Sequence, residues 1–195
     1  LGKELDLFFM DPIAPASPFF LPKGTIIYNE LINYVRELYH QYEYQEVITP
    51  QIFSTDLWKQ SGHYDNYKDN MYFVLAEDRE FGIKPMNCPA HAVLYKSGLR
   101  SYRELPFRVA DFGRLHRFEW SGVVQGLTRV RPFSQDDAHI FCTIDQVDHE
   151  IDSLIAMFKQ TYDIFNFKDS VLSKLEVNIH SLCTWKDIIA VIEEK

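Results

Sequence analysis

Cysteine is scarce: Cys88, Cys142 and Cys183 are the only three among 195 residues. An odd, widely spaced set makes no disulfide framework and fits a reducing compartment. Long hydrophobic runs are missing as well. No stretch approaches the ~20 apolar residues that cross a bilayer, and the opening Leu1-Gly2-Lys3-Glu4-Leu5 lacks the charged-then-apolar pattern of a signal peptide. A soluble intracellular protein is the expectation, although a removed transit peptide would leave no trace. Basic charge is outnumbered too: 20 lysines and arginines face 28 aspartates and glutamates, a net −8. The chain as a whole is therefore no general polyanion binder, and any nucleic-acid contact must be local or belong to another part. No internal repeat or low-complexity tract interrupts it. What is plentiful is apolar and aromatic side chain, 46% and 15% of residues, enough for a buried core of one domain or most of one.

The sparse positive charge is concentrated. Of nine arginines, seven fall between Arg100 and Arg131, opposed there only by Glu104, Asp111 and Glu119. Arginine's rigid fork of donors suits bidentate contact with phosphate or carboxylate. The same stretch reads as three adjacent strands, Arg108–Phe112, Leu115–Trp120 and a longer run from Thr128 to Phe141, with a glycine-bearing segment Ser121–Gly126 between the second and third. Strand alternation puts Arg117 and Glu119 on one face, and His116 and Phe118 on the other. In the third run, Phe133, Gln135, Asp137 and His139 share a face. A phosphate-bearing ligand is the natural expectation, but strand spacing alone does not separate it from a surface hairpin of salt-bridged arginines.

Elsewhere, three prolines in Pro12–Pro18 forbid helix, and Phe19–Pro22 reads as a short buried strand. Ile27, Leu31, Tyr34, Val35, Leu38 and Tyr42 have helical spacing over Thr25–Tyr42, with Thr25 as N-cap. A strand Tyr44–Thr49 ends at Pro50. Ser54 caps a short helix that closes at Ser61-Gly62, and His63–Tyr67 continues as loop. Met71–Leu75 is a strand and Ala76–Glu80 an exposed connection. In Gly82–His91, Pro85 and Pro89 keep Met86, Asn87 and Cys88 extended ahead of a helix Ala90–Lys96. Cys88 then stands just before a helix N-terminus, a position that lowers a thiol's pKa, although a lone cysteine also serves as a small buried hydrophobe. Asp145–Tyr162 is an amphipathic helix capped by Thr143 or Asp145, and Val171–Ile179 and Trp185–Glu194 suggest a further strand and helix.

Gly113–Glu119, Ser121-Gly122 through Gly126-Leu127-Thr128-Arg129, and the string Phe133-Ser134-Gln135-Asp136-Asp137-Ala138-His139-Ile140-Phe141 resemble motif 2 of the threonyl-tRNA synthetases, a class II aminoacyl-tRNA synthetase family. The resemblance runs from about Leu1 to about Tyr162. The helix over Thr25–Tyr42 and the strand ending at Pro50 resemble motif 1, although a proline there also serves as an ordinary strand terminator. The fold implied is α+β, an antiparallel β-sheet flanked by helices. Departures include Glu43 in a turn where relatives often carry glycine, Ala90 for glycine after Pro89, Phe118 between the motif arginine and glutamate, and a variant loop Val123-Val124-Gln125. No motif 3, editing domain or anticodon-binding domain is recognised, so residues 1–195 resemble the first part of a catalytic domain.

The resemblance implies a threonine–tRNA ligase that forms threonyl-adenylate from threonine and ATP with Mg2+, then transfers threonine to tRNA(Thr). Arg117 falls on the arginine that grips the α-phosphate and substrate carboxylate, Glu119 on the residue that meets the adenine amino group, and Arg129 on the arginine of the γ-phosphate. Gln135 matches an active-site position, although an amide there would also serve strand pairing. Cys88 and His139 fall on two ligands of a zinc ion that selects threonine over valine, which is isosteric but cannot ligate. The family's third ligand has no match, and His180 is left out of the set. Met86 would line the pocket, and Asp137 would orient the threonine amino group and hydroxyl. In the family the loop His63–Tyr67 borders the site. A homodimer through motif 1 and a cytoplasmic or mitochondrial location are implied, with no membrane contact. Two other readings stay open: a non-catalytic paralogue binding nucleotide or threonine as a regulatory module, and another class II synthetase, which would have no use for Cys88 with the Gln135–His139 string.

Overall fold

The computed structural model describes residues 1–166. The strand and helix expected at Val171–Ile179 and Trp185–Glu194, together with His180, lie outside the described residues. Two units are distinguished, Leu1–Cys142 and a second one beginning at Thr143.

The first unit opens with β1 (Phe8–Met10) paired antiparallel to β2 (Pro18–Phe20). The strand expected at Phe19–Pro22 is thus present but shifted. It is not buried: Phe9 and Phe19 stack across the pair with centroids 4.9 Å apart and remain about 40% exposed. Helix α1 (Pro22–Gln41) begins three residues before the expected Thr25. Pro22 takes the first turn, where its missing N–H costs nothing and its fixed φ is already helical, so Thr25 lies inside the helix and donates its N–H to the Leu21 carbonyl.

A tight turn at Glu43 (φ 60°) leads into β3 (Gln45–Glu46). This left-handed backbone is the conformation glycine adopts without penalty, the physical reason a glycine suits that position. Arg36 of α1 grips Glu46 with two hydrogen bonds of 2.8 and 2.9 Å, locking helix to strand.

Next come β4 (Ile52–Ser54) and α2 (Thr55–Gln60), whose N-cap Ser54 accepts from the Asp56 N–H. Gly62 turns with φ 71° into α3 (His63–Tyr67), so the segment expected as loop is a single helical turn. Strand β5 (Phe73–Ala76) is followed by β6 (Arg79–Ile83), which begins within the exposed connection expected at Ala76–Glu80. Glu77 and Asp78, both at positive φ, form the two-residue reversal that joins them. Trp58, Met71 and Met86 form a buried cluster here, with Phe53 and Tyr64 packed against it.

Helix α4 (Cys88–Lys96) precedes β7 (Phe107–Asp111) and β8 (Arg114–His116). The long third run divides into β9 (Pro132–Ser134) and β10 (Asp137–Phe141), broken at Gln135-Asp136. Nor do the three runs lie side by side: β10 pairs antiparallel with β7, while β8 pairs antiparallel with β9. The expected strand Leu115–Trp120 stops at His116, although Arg117 N–H still reaches the Arg131 carbonyl. β3 joins the other edge of β7 in parallel, the one departure from antiparallel pairing among the described residues. β6 is central to the remaining sheet, between β4 and β5.

In the second unit, the short turn Ile144–Gln146 carries a capping box between Thr143 and Gln146. It runs into α5 (Val147–Ile164), the expected amphipathic helix. Among the described residues no helix is long and apolar enough to cross a membrane.

Candidate functional site

Two groups of polar side chains gather in the first unit. The first lines a cleft of about 450 Å³ made by Arg117, Glu119, Leu127, Thr128, Arg129, Val130, Phe133 and Gln135. The β8–β9 pairing brings this about, because it sets Arg114 opposite Ser134 and His116 opposite Pro132. The residues beyond β8 therefore run back past those before β9. Arg117 is fixed at Nε, which donates to the Pro85 carbonyl at 3.0 Å, and its guanidinium lies 5.1 Å from the Phe133 ring centre. Glu119 and Arg129 engage each other: Arg129 Nε and Nη2 stand 3.0 and 2.8 Å from Glu119 Oε2. Arg131 clamps the Glu119 carbonyl with two N–H groups, and Phe118 is held through backbone and side chain by Asn70. Phe118 faces the other way and packs edge-on against Tyr72 and Trp120, as strand alternation requires.

The second group lies between α4 and the β7–β10 pair. Register sets Asp137 opposite Asp111 and His139 opposite Val109, so Asp111, Asp137 and His139 share a face. From α4 and the segment before it, Asn87 Nδ2 donates to Asp137 Oδ2 at 3.0 Å, and His91 Nδ1 lies 2.7 Å from His139 Nδ1. Asp137 acts electrostatically on both Cys88 and His139. Burial holds the pKa of His139 and of His91 below the ordinary histidine range.

Behind them lies a fully buried charge. Lys84, with no exposed side-chain surface, donates to Thr49 Oγ1 at 2.8 Å and pairs with Asp111 Oδ2 at 3.4 Å. Thr49 donates both its N–H and its hydroxyl to the same carboxylate oxygen. The end of the strand-and-proline segment is thereby tied to β7. Sequence reasoning missed Thr49, Lys84, Asn87, Asp111 and His91; the one legible signal was a lysine placed directly between the apolar β6 run and Pro85.

Arg117, Glu119, Arg129 and Gln135 thus meet in one cleft. Cys88, Asp137 and His139 belong to the second group. Met86 is only 8% exposed and packs with Trp58 and Met71. Cys88 is the first residue of α4, yet its thiol pKa is raised, first by burial and then by Asp137, against its own backbone hydrogen bond and Arg117. The residue keeps an exposed edge. Among the described residues, no three His, Cys, Asp or Glu side chains are arranged to hold a metal ion.

An arginine-lined cleft at the antiparallel β8–β9 pair thus accompanies a helix–strand–proline unit tied to β7 through Thr49 and Asp111. The family described as "tRNA synthetase class II core domain (G, H, P, S and T)" matches residues 72–193, and the chain belongs to it. Within that family it is similar to threonine–tRNA ligases. It is 56% identical over 163 residues to that of Bdellovibrio bacteriovorus, covering 84% of this chain and 25% of the relative. It is 49% identical over 187 residues to the cytoplasmic threonine–tRNA ligase of Saccharomyces cerevisiae, covering 95% and 26%. The crystal structure of the RNA binding domain of threonyl-tRNA synthetase from Cryptosporidium parvum superimposes with a TM-score of 0.84 at 51% identity, over 86% of this chain and 42% of that one. The chain spans about a quarter of the length of the curated relatives it matches.

Proposed function

We propose that this chain supplies the nucleotide-binding part, and part of the amino-acid pocket, of a threonine–tRNA ligase, which activates threonine with ATP and Mg2+ and transfers it to tRNA(Thr). The observation that carries this reading is the meeting of two guanidinium groups, Arg117 and Arg129, with Glu119, Gln135 and an aromatic wall, Phe133, in a cleft of about 450 Å³. That size suits a small-molecule ligand, and the pairing of cations with a flat ring suits a nucleoside polyphosphate.

Adenylate formation asks little of a protein beyond positioning and charge. The carboxylate must sit in line with the α-phosphate, and developing negative charge must meet fixed cations. Arg117 is suited to this because its Nε is already committed to the Pro85 carbonyl, which fixes the guanidinium before any ligand arrives. Arg129 and Glu119 hold each other in the ligand-free site. ATP would exchange that ion pair for two contacts, γ-phosphate to Arg129 and adenine amino group to Glu119. Arg129 is about half exposed but Glu119 is mostly buried, so the adenine amino group must replace the guanidinium as the partner of the Glu119 carboxylate. Gln135, at the break between β9 and β10, would add an amide toward the reacting carboxylate.

Zinc would take Cys88 and His139 as two of its ligands, although the described residues hold no set of three. Cys88 offers a thiol with an exposed edge, and His139 has one ring nitrogen tied to His91, leaving Nε2 as the ligating atom. Asp137, already oriented by Asn87, would accept from the threonine amino group and hydroxyl. Met86 would back the pocket through the core cluster. Zinc, when bound, supplies open Lewis-acid positions for the amino group and hydroxyl of threonine, which valine cannot occupy.

The homodimer contact is assigned to α1 and the strand after it. Ile26, Ile27 and Leu31 are 63%, 49% and 44% exposed, and Ile48 is 91% exposed. A cytoplasmic or mitochondrial site of action suits this assignment. The test is threonine-dependent ATP–pyrophosphate exchange by the full-length protein. Exchange with threonine and not with valine supports the reading; nucleotide binding without exchange refutes it in favour of a regulatory module.

A further inference from the structure

We propose that Arg131, which is not among the residues lining the cleft, is the positioning residue that gives the site its preference for adenine over guanine. This rests on the nucleotide reading above. The backbone of Arg131 serves Arg117 and its side chain serves Glu119, so one residue outside the cleft holds two residues inside it.

The β8–β9 ladder ends at His116 opposite Pro132. One further bond runs from the Arg117 N–H to the Arg131 carbonyl at 2.9 Å. The return bond of an antiparallel pair is not made, because the Arg131 N–H goes instead to the Ala16 carbonyl at 3.0 Å. Ala16 itself holds a φ of 60°, a left-handed backbone that alanine seldom adopts. Past this point side chains replace the ladder. Phe118 donates its N–H to the Asn70 carbonyl and accepts from Asn70 Nδ2. Arg131 Nε and Nη2 donate to the Glu119 carbonyl at 3.1 and 3.0 Å, and the same guanidinium lies 4.9 Å from the Phe118 ring centre. Two donors of one rigid, charged fork on a single oxygen fix the Glu119 peptide in place and direction.

A pinned peptide fixes where the Glu119 side chain starts. The carboxylate is 13% exposed, and an ionised carboxylate only accepts hydrogen bonds. Adenine offers an amino donor where guanine has an oxygen acceptor, so a carboxylate held there binds one base and repels the other. Arg129 pairs with Glu119 in the ligand-free site. Once nucleotide draws Arg129 to phosphate, the backbone clamp is what keeps Glu119 from swinging away. Arg117 is secured separately, by its Nε on the Pro85 carbonyl and by the Arg131 carbonyl, which every substitution at that position retains. Loss of the Arg131 side chain should therefore fall on base recognition and spare the α-phosphate contact.

The test is threonine-dependent pyrophosphate exchange by the full-length protein with ATP or GTP as the varied nucleotide. Arg131→Met removes the fork and keeps an apolar stem over Phe118. It should raise the KM for ATP and lower the preference for ATP over GTP, each roughly 10-fold, the scale of one lost hydrogen bond to a charged group. The kcat with ATP and the KM for threonine should not follow. Arg131→Lys, which can reach the carbonyl with a single donor, should fall between Arg131→Met and the unmodified protein, and it carries the test by itself where Arg131→Met does not fold. Glu119→Gln, whose amide can donate to the guanine oxygen, should lower the same preference. In a Glu119→Gln background Arg131→Met should then lower it no further. An added loss there, or a fall in kcat equal to the rise in KM, overturns the positioning role, because the arginine would then act through something other than Glu119. An unchanged preference in both Arg131 variants, with a lowered one in Glu119→Gln, overturns the positioning role alone and spares the nucleotide reading. An unchanged preference in Glu119→Gln overturns the adenine contact on which the proposal rests, and no exchange by the unmodified protein overturns both readings.

Discussion

Replacing Gly113 by alanine tests the buried lysine most directly. A Cβ at this position would overlap Lys84 Nζ and stand 2.9 Å from Asp111 Oδ1 and 3.0 Å from Asn87 Oδ1. Gly113 has no positive φ, so the alanine backbone itself carries no strain. Steric conflict remains, most severely with the ammonium and to a lesser degree with the Asp111 and Asn87 oxygens. Lys84 would have to withdraw by about 1 Å to restore ordinary contact, and it is held at 3.4 Å from Asp111 with no exposed side-chain surface. Overpacking costs about 1–3 kcal/mol, and full loss of one partner of a buried pair costs about 3–5 kcal/mol. A partial displacement should therefore destabilise by about 2–4 kcal/mol. Chemical denaturation followed by tryptophan fluorescence reads this, since the fully buried Trp58 reports on the same unit. The decisive comparison is a double-mutant cycle with Lys84→Met. Methionine ends one atom short of the Nζ and leaves only the contacts with the Asp111 and Asn87 oxygens, so Gly113→Ala in that background should cost less by about 1 kcal/mol or more. A cost that is equal in both backgrounds, or below about 0.5 kcal/mol in the unmodified protein, refutes the reasoning.

Arg117→Ala should lower threonine-dependent pyrophosphate exchange by roughly 10²–10³-fold, about 2.7–4 kcal/mol of lost transition-state stabilisation, with zinc content unchanged; near-normal exchange would remove Arg117 from the reaction. Burial, and then Arg114, hold the pKa of His116 below the ordinary histidine range, so the fold favours its neutral form. Its contribution to stability is complete above about pH 6.5, the unfolded value, and is lost as pH falls from there toward the folded pKa. His116→Gln should accordingly flatten the fall in denaturation midpoint between pH 7.5 and 5.5, and a slope identical to that of the unmodified protein counts against it. Glu43→Gly relieves a left-handed φ of 60° and gives up only a 3.4 Å contact from an exposed carboxylate to Arg108. It should raise stability by about 0.5–1 kcal/mol, the left-handed penalty less the extra chain entropy of glycine; a loss of stability in thermal melts would contradict that account.

By itself the sequence determined the helices α1, α2, α4 and α5, because apolar periodicity, caps and prolines act over a few residues and are written locally. It also determined that Arg117 and Glu119 share a face, since strand alternation is a local rule that holds even where the strand formally ends at His116. Strand β6 escaped notice because its reversal uses Glu77 and Asp78 in a conformation usually given to glycine or asparagine. Only the tertiary structure decided the pairing of β7 with β10 and β8 with β9, which splits one long run into a cleft wall and a sheet strand. Only it set Lys84 against Thr49 and Asp111, residues 35 and 27 positions away, and His91 against His139, 48 positions away. Nothing in the local chain encodes such partners. A buried ammonium or imidazole is tolerated only where distant segments converge to satisfy it, and that convergence is a property of the packed fold.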